Sequence, residues 1–293
     1  MKYRRLGLIW LLLHLSFGVY AQSDTILVNT VQCSPDDWIL VFSEDFDGHE
    51  LNTNQWVTWF PYTEDGSDQC SFCRTHANGG QIYRDSNVMV NNGTLKLIAR
   101  PEVNTWFGVE REYTSGMIHS RKSFGMGKFE IRCQLPSGMG FWPAIWLYGN
   151  TTSELDILEA GMQNPKRYHT SIHNRHLKRM LHRRHKLAVN LAEGFHIYTM
   201  EWDTNFIRFQ IDDKIMWQVS RFLNKNGRRH QTCPVEPGMY RLEPVFPPED
   251  EKVQLIINLC IGNATTAFTK SPDKNTILPN QMEVDWIKIY KRK

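Results

Sequence analysis

The sequence predicts an all-β protein, a sandwich of two packed antiparallel sheets. Three observations point to it. Apolar and polar residues alternate with period two over many short runs, and turn residues break those runs at close intervals. Helical periodicity is nearly absent, the stretch around Leu177–Leu191 being the one candidate. Alternation puts successive side chains on opposite faces of a strand, so each such run buries one face and leaves the other polar.

Taken in chain order, the first element is a leader. Lys2, Arg4 and Arg5 precede an apolar run from Leu6 to Val19 that ends at Ala21. This basic start, short apolar centre and small final residue read as a signal peptide over residues 1–21. The run falls short of the ~20 residues that a membrane-spanning helix needs. The expectation is a secreted or periplasmic protein with no membrane span and a single domain over residues 22–293. Without Lys2, Arg4 and Arg5, the 34 basic residues fall to the number of acidic ones, 31. Bulk charge therefore argues against nucleic-acid binding.

Further along, Asn87–Val90 and Thr94–Ile98 flank Asn91-Asn92-Gly93, a hairpin signal because Asn and Gly tolerate positive φ. Lys128 to Leu135 places polar residues at even numbers and apolar ones at odd numbers. Ile207, Phe209 and Ile211 alternate with Arg208, Gln210 and Asp212. Val253, Leu255, Ile257, Leu259 and Ile261 share one face of a late strand. Six cysteines follow the leader, at 33, 70, 73, 133, 233 and 260, an even set suited to disulfides in an oxidising compartment. Cys70-x-x-Cys73 also fits half of a zinc site, but no second ligand pair follows at a suitable spacing. Cys133 and Cys260 sit inside strand-like runs, as buried thiols do.

The informative stretch is Ser153-Glu-Leu-Asp-Ile-Leu-Glu-Ala160. Glu154 and Asp156 are two apart and share a face. Glu159, five from Glu154, would point into the core of a regular strand, where an unpartnered carboxylate costs several kcal/mol. One extra residue, a β-bulge near Ile157-Leu158, returns Glu159 to the polar face. Three carboxylates then project into one groove. Glycoside hydrolysis with retention needs such a set: a nucleophile, a protonated acid about 5–5.5 Å away, and a like charge that holds their protonation apart. The bare pattern also fits an acidic edge strand or a calcium loop.

The flanks narrow the choice. Tyr113-Thr-Ser-Gly-Met-Ile118, Phe124-Gly-Met-Gly-Lys-Phe-Glu-Ile-Arg132, Leu135-Pro-Ser-Gly138 and Phe141-Trp-Pro-Ala-Ile-Trp-Leu147 precede the carboxylates. Phe195 to Trp202, Ile256-Ile-Asn-Leu259 and Val284 to Tyr290 follow them. In this order the motifs resemble glycoside hydrolase family 16, the laminarinases, agarases, carrageenases and related enzymes, over about Trp38 to Lys291. The resemblance implies a jelly-roll sandwich with a concave substrate groove, endo cutting and retention. It implies Glu154 as nucleophile, Asp156 as its helper and Glu159 as acid/base. Trp142 and Trp146 match aromatics near the groove and either stack on sugar or pack in the core. His173, on a neighbouring strand, is placed to hydrogen-bond sugar hydroxyls or Glu159. Asp285, with Glu44 as a second ligand, matches a structural calcium position; both also read as surface acids. No cofactor is required for the chemistry. The expected partner is a polysaccharide, and the expected state is a monomer.

Two departures bear on the substrate. Tyr148 to Ser153 and Gly262 to Phe268 lack aromatic residues usual in laminarinase-like members. From Gly161 to Ala192 there is also no acidic residue, while Lys166, Arg167, Arg175, Lys178, Arg179, Arg183, Arg184, Lys186 and five histidines occur. That stretch is either a solvated hairpin or a recognition element for an anionic polymer. Three readings follow: an endo-hydrolase of β-1,3- or mixed-linkage glucan, an endo-hydrolase of agar-, porphyran-, carrageenan- or host-type galactans, and a non-catalytic carbohydrate-binding protein.

Overall fold

A computed structural model describes residues 25–31, 37–75, 79–229 and 234–293. The expected leader, Cys33 and Cys233 lie outside the described residues. Two antiparallel sheets dominate. The first has seven strands in the spatial order Arg179–Lys186, Arg167–Asn174, Ser153–Glu159, Phe141–Gly149, Val253–Ile261, Met117–Ser120 and Trp56–Val57. The second runs Lys214–Ser220, Phe206–Ile211, His196–Trp202, Gly127–Gln134, Asn280–Arg292, Thr94–Ala99 and Val88–Asn91, with Trp38–Glu44 also paired to Asn280–Arg292. The chain passes repeatedly between the two sheets, so strands far apart in sequence lie side by side, as in a jelly roll.

Alternation decides which face each strand buries. In Gly127–Gln134, Phe129, Ile131 and Cys133 enter the core, while Lys128, Glu130 and Arg132 face outward. Ile145, Leu147, Leu155, Leu255, Ile257 and Leu259 of the seven-stranded sheet meet them from the other side. The expected hairpin is present. Asn91 pairs with Thr94 across a two-residue turn in which Asn92 and Gly93 have φ of 51° and 73°, the positive values that such a turn requires. Cys133 and Cys260 are buried free thiols.

One expectation changes. The stretch around Leu177–Leu191 holds an edge strand, Arg179–Lys186, and no helix. On an edge strand only Leu181 and His185 reach inward, so alternation is weak. Leu177, Leu187 and Leu191 fall outside the strand and supply a helix-like spacing by accident. Cys70 and Cys73 are joined to each other as a disulfide, Cα atoms 5.2 Å apart, so their sulfurs are not available to zinc.

Candidate active site

The outward face of the seven-stranded sheet is a grid of side chains set by strand register. One cross-strand row reads Asn258, Ala144, Glu159, His169, Arg184. The next reads Ile256, Trp146, Asp156, Ser171, His182, and the third Gln254, Tyr148, Glu154, His173, Met180. Regular alternation alone does not build the first row. Asp156 pairs with Ser171 and Glu159 with His169, so Ile157 and Leu158 together oppose the single residue Thr170. Both bulged residues are buried in the core, at 2% and 0% exposure, and Glu159 returns to the outward face.

The three carboxylates share a small cavity of about 30 Å³ lined also by Trp142, Ala144, Trp146, Asn258 and Cys260. Asp156, 3% exposed, accepts a hydrogen bond from His173 Nε2 at 2.9 Å; the same nitrogen lies 4.0 Å from Glu154 Oε1. Burial, then the charge of Asp156, pushes the Glu154 carboxyl up to about 7, against the pull of His173 and Arg175. Glu159 is raised well above the ordinary value by burial and by the charges of Asp156 and Glu154, with only the Trp142 indole opposing. Glu159 has no cation among these neighbours, so it takes the proton first. Burial works to lower His173, but its hydrogen bond to Asp156 and the charges of Asp156 and Glu154 outweigh that and leave it raised. Glu154, Asp156 and His173 are also the one group of three or more metal-ligating side chains among the described residues.

Surrounding residues fix this geometry. Glu251, 1% exposed, accepts hydrogen bonds from the backbone N–H groups of Thr151, Thr152 and Ser153 at 2.8, 3.1 and 3.1 Å, and from Thr151 Oγ1 at 2.6 Å. It thereby clamps the turn that leads into the carboxylate strand. Burial disfavours its charge, yet these donors hold its pKa below the usual carboxylate range. Trp146 is 5% exposed and donates its indole N–H to Asn258 Oδ1 at 2.8 Å, so it is packed into the floor. Trp142 is half-buried, its ring 4.9 Å from Phe268. Tyr62 and Tyr148 (centroids 5.7 Å apart) form a wall at the Glu154 end, where the Arg175 guanidinium lies 3.9 Å from the Tyr148 ring centre.

Sequence reasoning did not place Tyr62, Phe268, Asn258 or Glu251 at the site, and it named Arg175 only as one cation of the basic stretch. Four of these lie on loops or turns, where no periodicity marks a residue; Asn258 alone stood out, as a polar residue in the apolar run Ile256-Ile-Asn-Leu259. The two acids expected as calcium ligands have protein partners. Asp285 pairs with Arg132, while Glu44 accepts from Trp56 Nε1 at 3.0 Å and from the Phe46 N–H at 3.1 Å. Neither belongs to a group of three or more ligand side chains among the described residues.

A β-sandwich with clustered, proton-sharing carboxylates on its outward face is the architecture of a glycoside hydrolase. A family model described as Glycosyl hydrolases family 16 matches residues 76–243. The chain is 30% identical to a beta-glucanase of Rhodothermus marinus over 276 residues, 87% of this chain and 85% of that one. It is 25% identical to a keratan-sulfate endo-1,4-beta-galactosidase of Sphingobacterium multivorum, over 92% of this chain but 59% of the longer relative. The catalytic domain of an endo-1,3-beta-glucanase (laminarinase) from Thermotoga petrophila superposes with a TM-score of 0.71 at 26% identity, covering 88% of this chain and 99% of that one. The chain belongs to glycosyl hydrolase family 16 and is a glycoside hydrolase.

Proposed function

We propose that the protein cuts inside a β-linked polysaccharide with retention of configuration, and that a β-1,3- or mixed-linkage glucan is the backbone it accepts. The observation that carries the chemistry is the bulge at Ile157-Leu158. It sets Glu154, Asp156 and Glu159 on one face around one cavity while burial leaves the proton on Glu159. In the first step the ionised Glu154 attacks the anomeric carbon. The glycosidic C–O bond breaks as Glu159 gives its proton to the leaving oxygen. In the second step Glu159 takes a proton from water, whose oxygen displaces Glu154 from the sugar. Asp156, held by His173, keeps the two glutamates on different protonation states. The beta-glucanase and laminarinase relatives support the glucan backbone.

Two observations favour a second reading, an endo-β-galactanase. The keratan-sulfate endo-1,4-beta-galactosidase matches nearly the whole chain, and the cationic hairpin adjoins the site. We also read residues 1–21 as an export leader and residues 22–293 as one catalytic domain. The Cys70–Cys73 disulfide supports an oxidising compartment. No helix among the described residues is long and apolar enough to cross a membrane. The deciding experiment is a reducing-end assay on laminarin, mixed-linkage glucan, agarose, porphyran and carrageenan, with Glu154→Gln as control. Fast cleavage of laminarin into mixed oligosaccharides, lost in the variant, is the expected result. Cleavage confined to a galactan moves the backbone to the second reading, and wild-type turnover by Glu154→Gln overturns the mechanism.

A further inference from the structure

The face that bears the carboxylates continues onto a cationic hairpin. Register puts Arg184 in the row of Glu159 and His169, puts His182 in the row of Asp156, and pairs Arg167 with Lys186 beside them. Five basic or imidazole side chains, Arg167, His169, His182, Arg184 and Lys186, therefore share the face of the acids. The alternate residues of the edge strand face the other way: Leu181 packs on the core and His185 meets Thr170 at 2.9 Å. Among the described residues, no ion pair engages Arg167, His182, Arg184 or Lys186, although each is exposed. Several cations on the other sheet are paired, Lys128 with Glu130, Arg132 with Asp285 and Arg208 with Glu201.

Charges on an edge strand protect against strand-to-strand aggregation, but that role treats both faces of the strand alike. The cleft face has more than charge. His169 lies edge-on to Phe268 at 4.9 Å and parallel to His182 at 6.4 Å, and Phe268 touches Trp142, so a floor of rings runs from the cavity to the cations. Adjacent strands lie about 4.8 Å apart, which puts the Arg184 backbone about 10 Å from that of Glu159, beside an adjoining sugar rather than the one being cut. Guanidinium forks bind oxyanions through paired charge-assisted hydrogen bonds. Burial, then His182 and Arg184, hold His169 below its ordinary pKa, leaving a neutral ring to hydrogen-bond hydroxyls.

We propose that the cleft face of this hairpin is an anion subsite, in which Arg167, Arg184 and Lys186 hold a sulfate ester or carboxylate on the glycan flanking the Glu159 side of the scissile bond. The inference rests on the catalytic reading of the carboxylates, because it takes the bound glycan to run across them and onto the hairpin.

Binding of the full-length Glu154→Gln protein to laminarin, sulfated laminarin and carboxymethylated laminarin, measured by affinity electrophoresis, separates the two readings. Agarose and carrageenan serve as the galactan pair. The expected result is about tenfold tighter binding of one charged form, and whether it is the sulfated or the carboxymethylated one identifies the anion. Adding Arg184→Gln with Lys186→Gln removes most of that preference. Adding Arg179→Gln with Arg183→Gln takes the same charge from the opposite face and keeps it. Equal binding of charged and neutral polymers, or equal loss in both double variants, overturns the subsite. Wild-type turnover is scored in parallel. Cleavage of neutral laminarin without charge preference sinks the subsite alone, whereas Arg184-dependent binding with no cleavage of any polymer sinks the catalytic reading alone.

Discussion

The two outward faces of the sandwich handle charge in opposite ways. On the eight-stranded sheet, opposite charges are neighbours: Lys128 lies 2.8 Å from Glu130 and over the Tyr290 ring, Lys96 lies 3.6 Å from Glu283, and Arg132 and Arg208 pair with Asp285 and Glu201. On the seven-stranded sheet, three acids gather on one strand and the cations stand one and two strands away. A surface pair contributes little stability, but it cancels the local field. Segregation leaves the field in place, and it adds to burial, the larger cause, in raising Glu154 and Glu159. Overall charge hides this difference. The working face is the one whose charges are unbalanced locally.

The largest effects should come from removing the unbalanced acids. Glu154→Gln and Glu159→Gln each lower kcat by at least about a thousandfold while the protein still folds, as initial rates and thermal melts will read. Near-normal rates in either variant would erase the distinction between the faces. The same variants should gain stability. A carboxyl whose pKa rises from 4.5 to about 7 on folding binds more proton when folded, so wild-type stability falls as pH climbs through that window. Glu154→Gln should flatten this slope and raise Tm at pH 8 by a few degrees.

A smaller effect follows from His173. Its positive charge helps Glu154 ionise, so His173→Ala should move the acid limb of the kcat/KM profile to higher pH. A limb that stays in place or moves down would show that His173 only packs. The smallest effect belongs to the balanced face. Arg132→Ala should cost at most about 1 kcal/mol and leave turnover unchanged.

The sequence made the centre of the site legible because its spacing contains a conflict. Two acids two apart and a third five along cannot share a face without an extra residue, and the bulge is that residue. Interior strands such as Gly127–Gln134 were legible because both the core and solvent act on them. The edge strand Arg179–Lys186 was not, since its neighbour supplies core contact at only two positions. Glu251 gave no signal within Pro248-Glu-Asp-Glu251, because its role comes from a turn about a hundred residues earlier. Asp285 and Glu44 stood out as acids, and side-chain partners that no local pattern announces engage them.

The Glu251 clamp has a consequence for when the enzyme becomes active. A growing chain that stops short of this residue lacks the acceptor for the Thr151–Ser153 turn, and lacks Val253–Ile261 beside the strand carrying Trp142 and Trp146. Its carboxylates are already made, but nothing yet holds them in register. Activity thus waits for residues 251–261, and a fragment that bears Glu154 and Glu159 but stops before them is expected to be inactive.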